Sequence, residues 1–178
     1  MQGLAGFEEW LREVSPGSFE GDAVIPDGWR SWLEELYRRE GPISGPELEA
    51  REREAMRTAA EAALVSVLDD AERVLEHRPV MEVFDDDGSL RINYLTDHAV
   101  EVGPSGGLLN GPDDVDALVT VADAVFDLLA HELCAVPFVC PFHSTGLHPQ
   151  DQNGRAVWWC ERGQHTQGEI GKLKHRRR

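Results

Sequence analysis

The spacing of apolar positions changes period along the chain, and each change predicts a new element. Phe7, Trp10, Leu11 and Val14 recur at helical spacing before Ser15-Pro16-Gly17, which predicts a short first helix over about 6–14. Trp29, Trp32, Leu33, Leu36 and Tyr37 mark one face of a second helix over about 28–40, with Asp27 as its cap and Gly41-Pro42 as its stop. Tryptophans at such positions read as core rather than as a cofactor site. Ser44-Gly45-Pro46-Glu47 has the spacing of a capping box with proline in the first turn. It opens the longest helical pattern, about 46–77, in which Met56, Ala60, Ala63, Leu64, Val67, Leu68, Ala71, Val74 and Leu75 form one stripe as far as His77-Arg78-Pro79. A helix of about 30 residues measures about 45 Å. That outreaches a compact body of this size, so the pattern predicts a helix that projects or pairs with a second copy, a seam for a homodimer.

Period two then takes over. Val80 to Phe84 and Leu90 to Tyr94 flank Asp86-Asp87-Gly88, a hairpin signal, and a third strand over 98–102 completes an antiparallel meander across 80–102. The aspartates Asp85, Asp86 and Asp87 lack the alternating acids and distal glutamate of a calcium loop, so they read as turn chemistry, and with Asp97 and His98 as a solvated cluster. After the Gly- and Pro-rich stretch 103–112, Asp113 or Asp114 caps a fourth helix over about 114–135. Its apolar face runs from Val115 to Leu133, and Pro137 ends it. The fold class expected is α+β: a mainly helical body over 1–137 with a small β meander, a separate module over 138–173, and a basic tail over 174–178.

Charge sharpens that division. The chain of 178 residues carries a formal net charge of −16. From Cys140 onward seven Lys or Arg oppose three acids, which leaves +4 there and −20 on the body. All but two of the basic residues are arginine, a usage that suits a GC-rich bacterial genome. The apolar runs are too short to span a membrane and the first residues lack the order of a signal peptide, so the reading is a soluble, cytoplasmic protein with no membrane partner.

Three cysteines are an odd count. Cys134 lies within an apolar helical pattern, while Cys140 and Cys160 flank a turn-rich stretch, which suits metal binding better than a disulfide. Two residues between Cys140 and His143 let sulfur and imidazole close on one ion, and Pro141 stiffens the backbone of that knuckle. Asn153-Gly154 turns the chain into Val157-Trp158-Trp159-Cys160, whose tryptophans cover opposite faces of a strand. The fourth ligand expected is His165, which gives two balanced knuckles where the second would otherwise supply one ligand only, with His148 as the alternative. Thiolates and imidazoles in this number point to a structural Zn²⁺.

This arrangement resembles the zinc-ribbon family, with histidines where the second cysteine of each knuckle usually stands, and it is similar to the Cys-Pro-x-His and Trp-x-Cys tails of uncharacterised actinobacterial proteins. The resemblance covers about 35 residues and implies a metal and a local fold, not an activity.

Catalytic signatures are missing from the sequence. His131-Glu132-Leu133-Cys134-Ala135 fails the His-Glu-x-x-His pattern at its last position, and there is no deaminase motif, P-loop, dinucleotide fingerprint or nucleophile elbow. His131 itself reads as a hydrogen-bonded helical histidine, and His175 among the terminal arginines as solvated. The leading expectation is therefore a non-catalytic zinc protein that acts through contact with a protein partner, basic to match the body, as an adaptor, regulator or toxin-neutralising protein. Nucleic-acid binding through Arg155, Arg162, Lys172, Lys174 and Arg176 to Arg178, or a DNA-mimic body, is the alternative; the −20 body disfavours nucleic acid for the full-length chain. A metalloenzyme comes third, since water would have to displace one of five candidate ligands.

Overall fold

The computed structural model describes residues 4–14, 27–86, 89–95, 100–101 and 113–174. The expected turn tip at Asp87 and Gly88, the residues Asp97 and His98, the stretch 103–112, His175 and Arg176 to Arg178 lie outside them. The architecture is α+β. Helices α1 (Leu4–Val14), α2 (Asp27–Glu40) and α3 (Gly45–Leu75) precede strands β1 (Met81–Asp86), β2 (Ser89–Leu95) and β3 (Val100–Glu101), followed by α4 (Asp114–Leu133) and strands β4 (His148–Asp151), β5 (Ala156–Cys160) and β6 (His165–Glu169). Each set of three strands is an antiparallel sheet in sequence order.

Helix ends form where the side chains can serve orphan backbone groups. At the start of α3 the Ser44 amide and hydroxyl both donate to the Glu47 carboxylate, at 2.9 and 2.7 Å, which holds that carboxyl below its ordinary range. Asp113 caps α4 by accepting from the Val115 and Asp116 amides, each at 2.9 Å. α3 stops at Leu75 because Glu76 turns left-handed, φ 61°, and α4 stops at Leu133 because Cys134 does the same, φ 47°. Both ends fall short of the prolines that the sequence offers as stops.

Two hydrophobic clusters share α3. Phe7, Trp10 and Leu11 of α1, Leu33 and Leu36 of α2 and Leu48 of α3 form one. Tyr37 packs against the Phe7 and Trp10 rings at 5.7 and 5.2 Å, and the Trp10 indole donates to the Ile43 carbonyl at 2.7 Å. The second cluster takes the other part of α3, from Ala59 to Ala71, with α4, Met81 and Ile92 of the first sheet, and Phe138, Leu147, Trp158, Ile170 and Leu173. The stripe of α3 from Met56 to Leu75, on a helix expected to project or to meet a second copy, is covered within the chain by the second cluster, while Leu48 nearer the start of the helix serves the first.

That second cluster carries the core across residue 138 into the C-terminal sheet. Phe138 and Trp158 stack with ring centroids 4.2 Å apart, both fully buried. Asp70 fastens the junction. Wholly buried on α3, it accepts from the Trp158 indole at 2.8 Å, the Gly171 amide at 2.7 Å, the Leu173 amide at 2.8 Å and Arg73 at 2.7 Å. A buried carboxylate is costly unless its lone pairs are used, and here four donors use them. Among the described residues no helix is long and apolar enough to cross a membrane.

Candidate metal centre

Two short loops converge at the far end of the C-terminal sheet. In the first, the chain bridges Val139 to Gly146, the Cys140 amide donates to the Thr145 carbonyl at 2.8 Å, and the Ser144 amide returns to the Cys140 carbonyl at 2.9 Å. The second joins β5 to β6, where Cys160 pairs with His165. Each loop closes on a left-handed residue four positions after its cysteine: Ser144, φ 55°, and Gln164, φ 48°. The knuckles share that left-handed position although their hydrogen bonds differ, the Ser144 amide reaching back to Cys140 and the Gln164 amide to Glu161. Asn153, φ 57°, and Gly154, φ 77°, form the two-residue turn between β4 and β5 that returns the second cysteine to the first.

The ligand atoms of Cys140, His143, Cys160 and His165 all lie within 4.8 Å of one another, positioned to bind a metal ion. His143 Nδ1 stands 3.4 Å from both sulfurs, and His165 Nε2 stands 3.6 Å from Cys140 Sγ. A tetrahedral ion bonded to sulfur at about 2.3 Å and to nitrogen at about 2.0–2.1 Å separates those ligands by about 3.6 Å, so the cluster has the size of one ion's ligand set. The sulfurs face inward, with both cysteines wholly buried, and the half-buried imidazoles close the solvent side.

Supporting contacts orient these ligands. His165 Nδ1 lies 3.3 Å from the Thr166 carbonyl, which sets the proton on Nδ1 and leaves Nε2 for the metal. Burial pushes the Cys160 thiol up, but hydrogen bonds from the Thr145 hydroxyl, the Gly163 and Arg162 amides and Cys140 outweigh it, so the group sits below its ordinary range. That favours the thiolate, the form that ligates. Gly163 occupies the place in the second knuckle that His143 occupies in the first. A Cβ there would stand 2.3 Å from His143 Cε1 and 2.4 Å from His165 Cδ2, so both rings use the space that glycine leaves.

The other candidates are elsewhere. His148 is exposed on β4, its ring 5.7 Å from that of Phe126 on α4, and it is outside the ligand cluster. Its charge reaches Asp123, whose carboxyl burial and Asp127 raise and His148 lowers, with a net rise. His131 is exposed in the last turn of α4, where its carbonyl accepts from the Cys134 amide at 3.3 Å. Asp85 and Asp86 pair with Arg57 and Arg91, at 3.8 and 2.8 Å. Sequence reasoning missed Asp70, Thr145 and Gly163. Asp70 left a readable trace, because it stands on the apolar stripe of α3 seven positions after Ala63; the other two are small residues whose roles depend on the opposing knuckle. Compared with family models, curated proteins and solved structures, the chain matches none.

Proposed function

We propose that this chain is a non-catalytic protein that holds one structural Zn²⁺ in a zinc-ribbon-like module and works by binding a protein partner, as an adaptor, regulator or toxin-neutralising protein. The observation that carries the reading is the Cys140, His143, Cys160 and His165 cluster, with its sulfur to nitrogen spacings of 3.4–3.6 Å. Two thiolates and two imidazoles suit zinc better than the oxygen shells that calcium or magnesium take. Four protein ligands fill a tetrahedron and leave no position for a reacting water, which favours a structural ion over a hydrolytic one. The C-terminal sheet packs on the core through Phe138 and Trp158, so the ion would tie together two loops of a sheet already anchored to the body.

Nucleic acid stays the second reading. Its basic side chains in the module are partly neutralised in place, Arg155 and Lys172 both facing Glu169. The test of the leading reading is elemental analysis of protein purified without added metal, together with Co²⁺ exchange. The expected result is about one zinc per chain and the absorption of tetrahedral S₂N₂ cobalt. A metal-free protein whose residues 138–173 are fully folded would sink the proposal.

A further inference from the structure

Six large apolar side chains among the described residues are exposed, and four of them, Leu133 at 38%, Val136 at 49%, Val139 at 45% and Phe142 at 62%, fall within ten consecutive residues. Single exposed apolar side chains are ordinary, whereas a continuous group marks a contact surface. Continuity is visible around Gly146. Val139 bridges to it through the backbone, and Val136 Cγ1, His148 Nε2 and Phe126 Cζ lie 3.3, 3.8 and 3.8 Å from where its Cβ would be. Phe142 extends the group onto the metal knuckle, its ring edge-on to His165 at 6.0 Å.

The flank of this ridge is acidic. Asp123 and Asp127 are exposed one turn apart on α4, and Asp123 lies within electrostatic reach of both Asp127 and the His148 ring at the ridge. Glu132 is exposed next to Leu133. We infer that the ridge running from Val136 over Val139 to Phe142 docks a protein segment whose apolar side chains are flanked by lysine or arginine, and that the metal-bound knuckle holds Phe142 in position for it. This rests on the protein-binding, zinc-held reading above. Charge complementarity selects the occupant: Asp123, Asp127 and Glu132 attract cationic side chains and repel nucleic acid and anionic lipid. A second copy would bring the same acids toward one another across a two-fold contact.

The experiment uses the full-length, zinc-loaded protein, ¹⁵N-labelled, titrated with a short amphipathic peptide of leucine and lysine and with its leucine and glutamate counterpart. Expected are amide shifts concentrated in residues 123–148 with the lysine peptide alone. Phe142→Ser and Val139→Ser should each weaken binding by about 5–10-fold, and Asp123→Asn with Asp127→Asn should weaken it further at low salt than at high. The exposed positions of Val139 and Phe142 leave the fold intact, which zinc content and circular dichroism check. Glu61→Gln on α3 serves as a control that leaves affinity unchanged. Removal of zinc by a chelator should abolish the Phe142 contribution. Shifts centred on α3, or unchanged affinity in both serine variants, would overturn the ridge while the protein-binding reading stands. Equal binding of the two peptides, or no binding of either by a protein that retains its zinc, would overturn it too. Self-association abolished by Phe142→Ser would replace the basic partner with a second copy. Failure to retain zinc at all would show separately, in the metal analysis, and would sink the reading on which this rests.

Discussion

Gly163 shows how one missing methyl group can set the geometry of a metal site. The two imidazoles approach the glycine from opposite knuckles, so a methyl cannot fit without moving a ligand. Gly163→Ala is expected to lower zinc affinity by about 10–100-fold, the range for residues that orient metal ligands, measured by competition with a chromogenic chelator. Asp70 acts in the core. Asp70→Ala would leave the Trp158 indole and the Gly171 and Leu173 amides without their acceptor, and it should cost about 3–5 kcal/mol in urea unfolding. Asp123 has the opposite sign. Although the residue is exposed, its carboxyl is partly desolvated against its neighbours, and that desolvation first and Asp127 second raise it above the ordinary range. The native state therefore holds the proton more tightly than the unfolded state, and stability falls as pH climbs from the ordinary aspartate value, about 3.9, through the raised one. Asp123→Asn should raise the melting temperature at pH 7, with the gain vanishing below about pH 4. A gain that persists at pH 3 would contradict this assignment.

Among the elements, α3 carries the organisation. At 31 residues it is about 46 Å long, and each end serves a different hydrophobic cluster. Two consequences separate. Cys140→Ser should strip hydrogen-exchange protection from residues 138–173, because metal binding and local folding are coupled. It should also lower the protection of α4 and the C-terminal part of α3, since Phe138 and Trp158 belong to their core. The cluster of α1, α2 and Leu48 shares none of those side chains and should keep its protection. Equal loss over the whole chain would show that the two clusters unfold as one.

The whole molecule is set by charge. A −20 stretch before Cys140 and a +4 stretch after it oppose each other in any encounter with a polyanion. Few phosphates can be neutralised by so small an excess of cations, while repulsion from the body acts over a Debye length of about 8 Å. Duplex DNA should bind the full-length protein weakly or not at all at physiological salt. Fluorescence anisotropy at two salt concentrations checks this, and tight binding that survives at about 0.2 M salt would make nucleic acid the leading partner.

Local rules were enough for everything governed by neighbours in sequence. The Ser44 to Glu47 box, the Asp113 cap, the hairpin pairing of Met81 with Tyr94 through Asp86 with Ser89, and the Asn153-Gly154 turn all follow from spacing of a few residues. The cysteine and histidine pattern belongs to the same class, because a knuckle is a local structure and its ligands announce themselves by type. Tertiary structure decided what depends on distant groups. It gathered His165 with the cysteines and left His148 beside Phe126, a choice fixed by strand register, since Cys160 pairs with His165 whereas His148 pairs with Trp159. It ended both long helices on left-handed residues ahead of the available prolines. It also turned Asp70 inward to bind a backbone about a hundred residues away, and no periodicity within α3 encodes which distant amides a buried carboxylate will find.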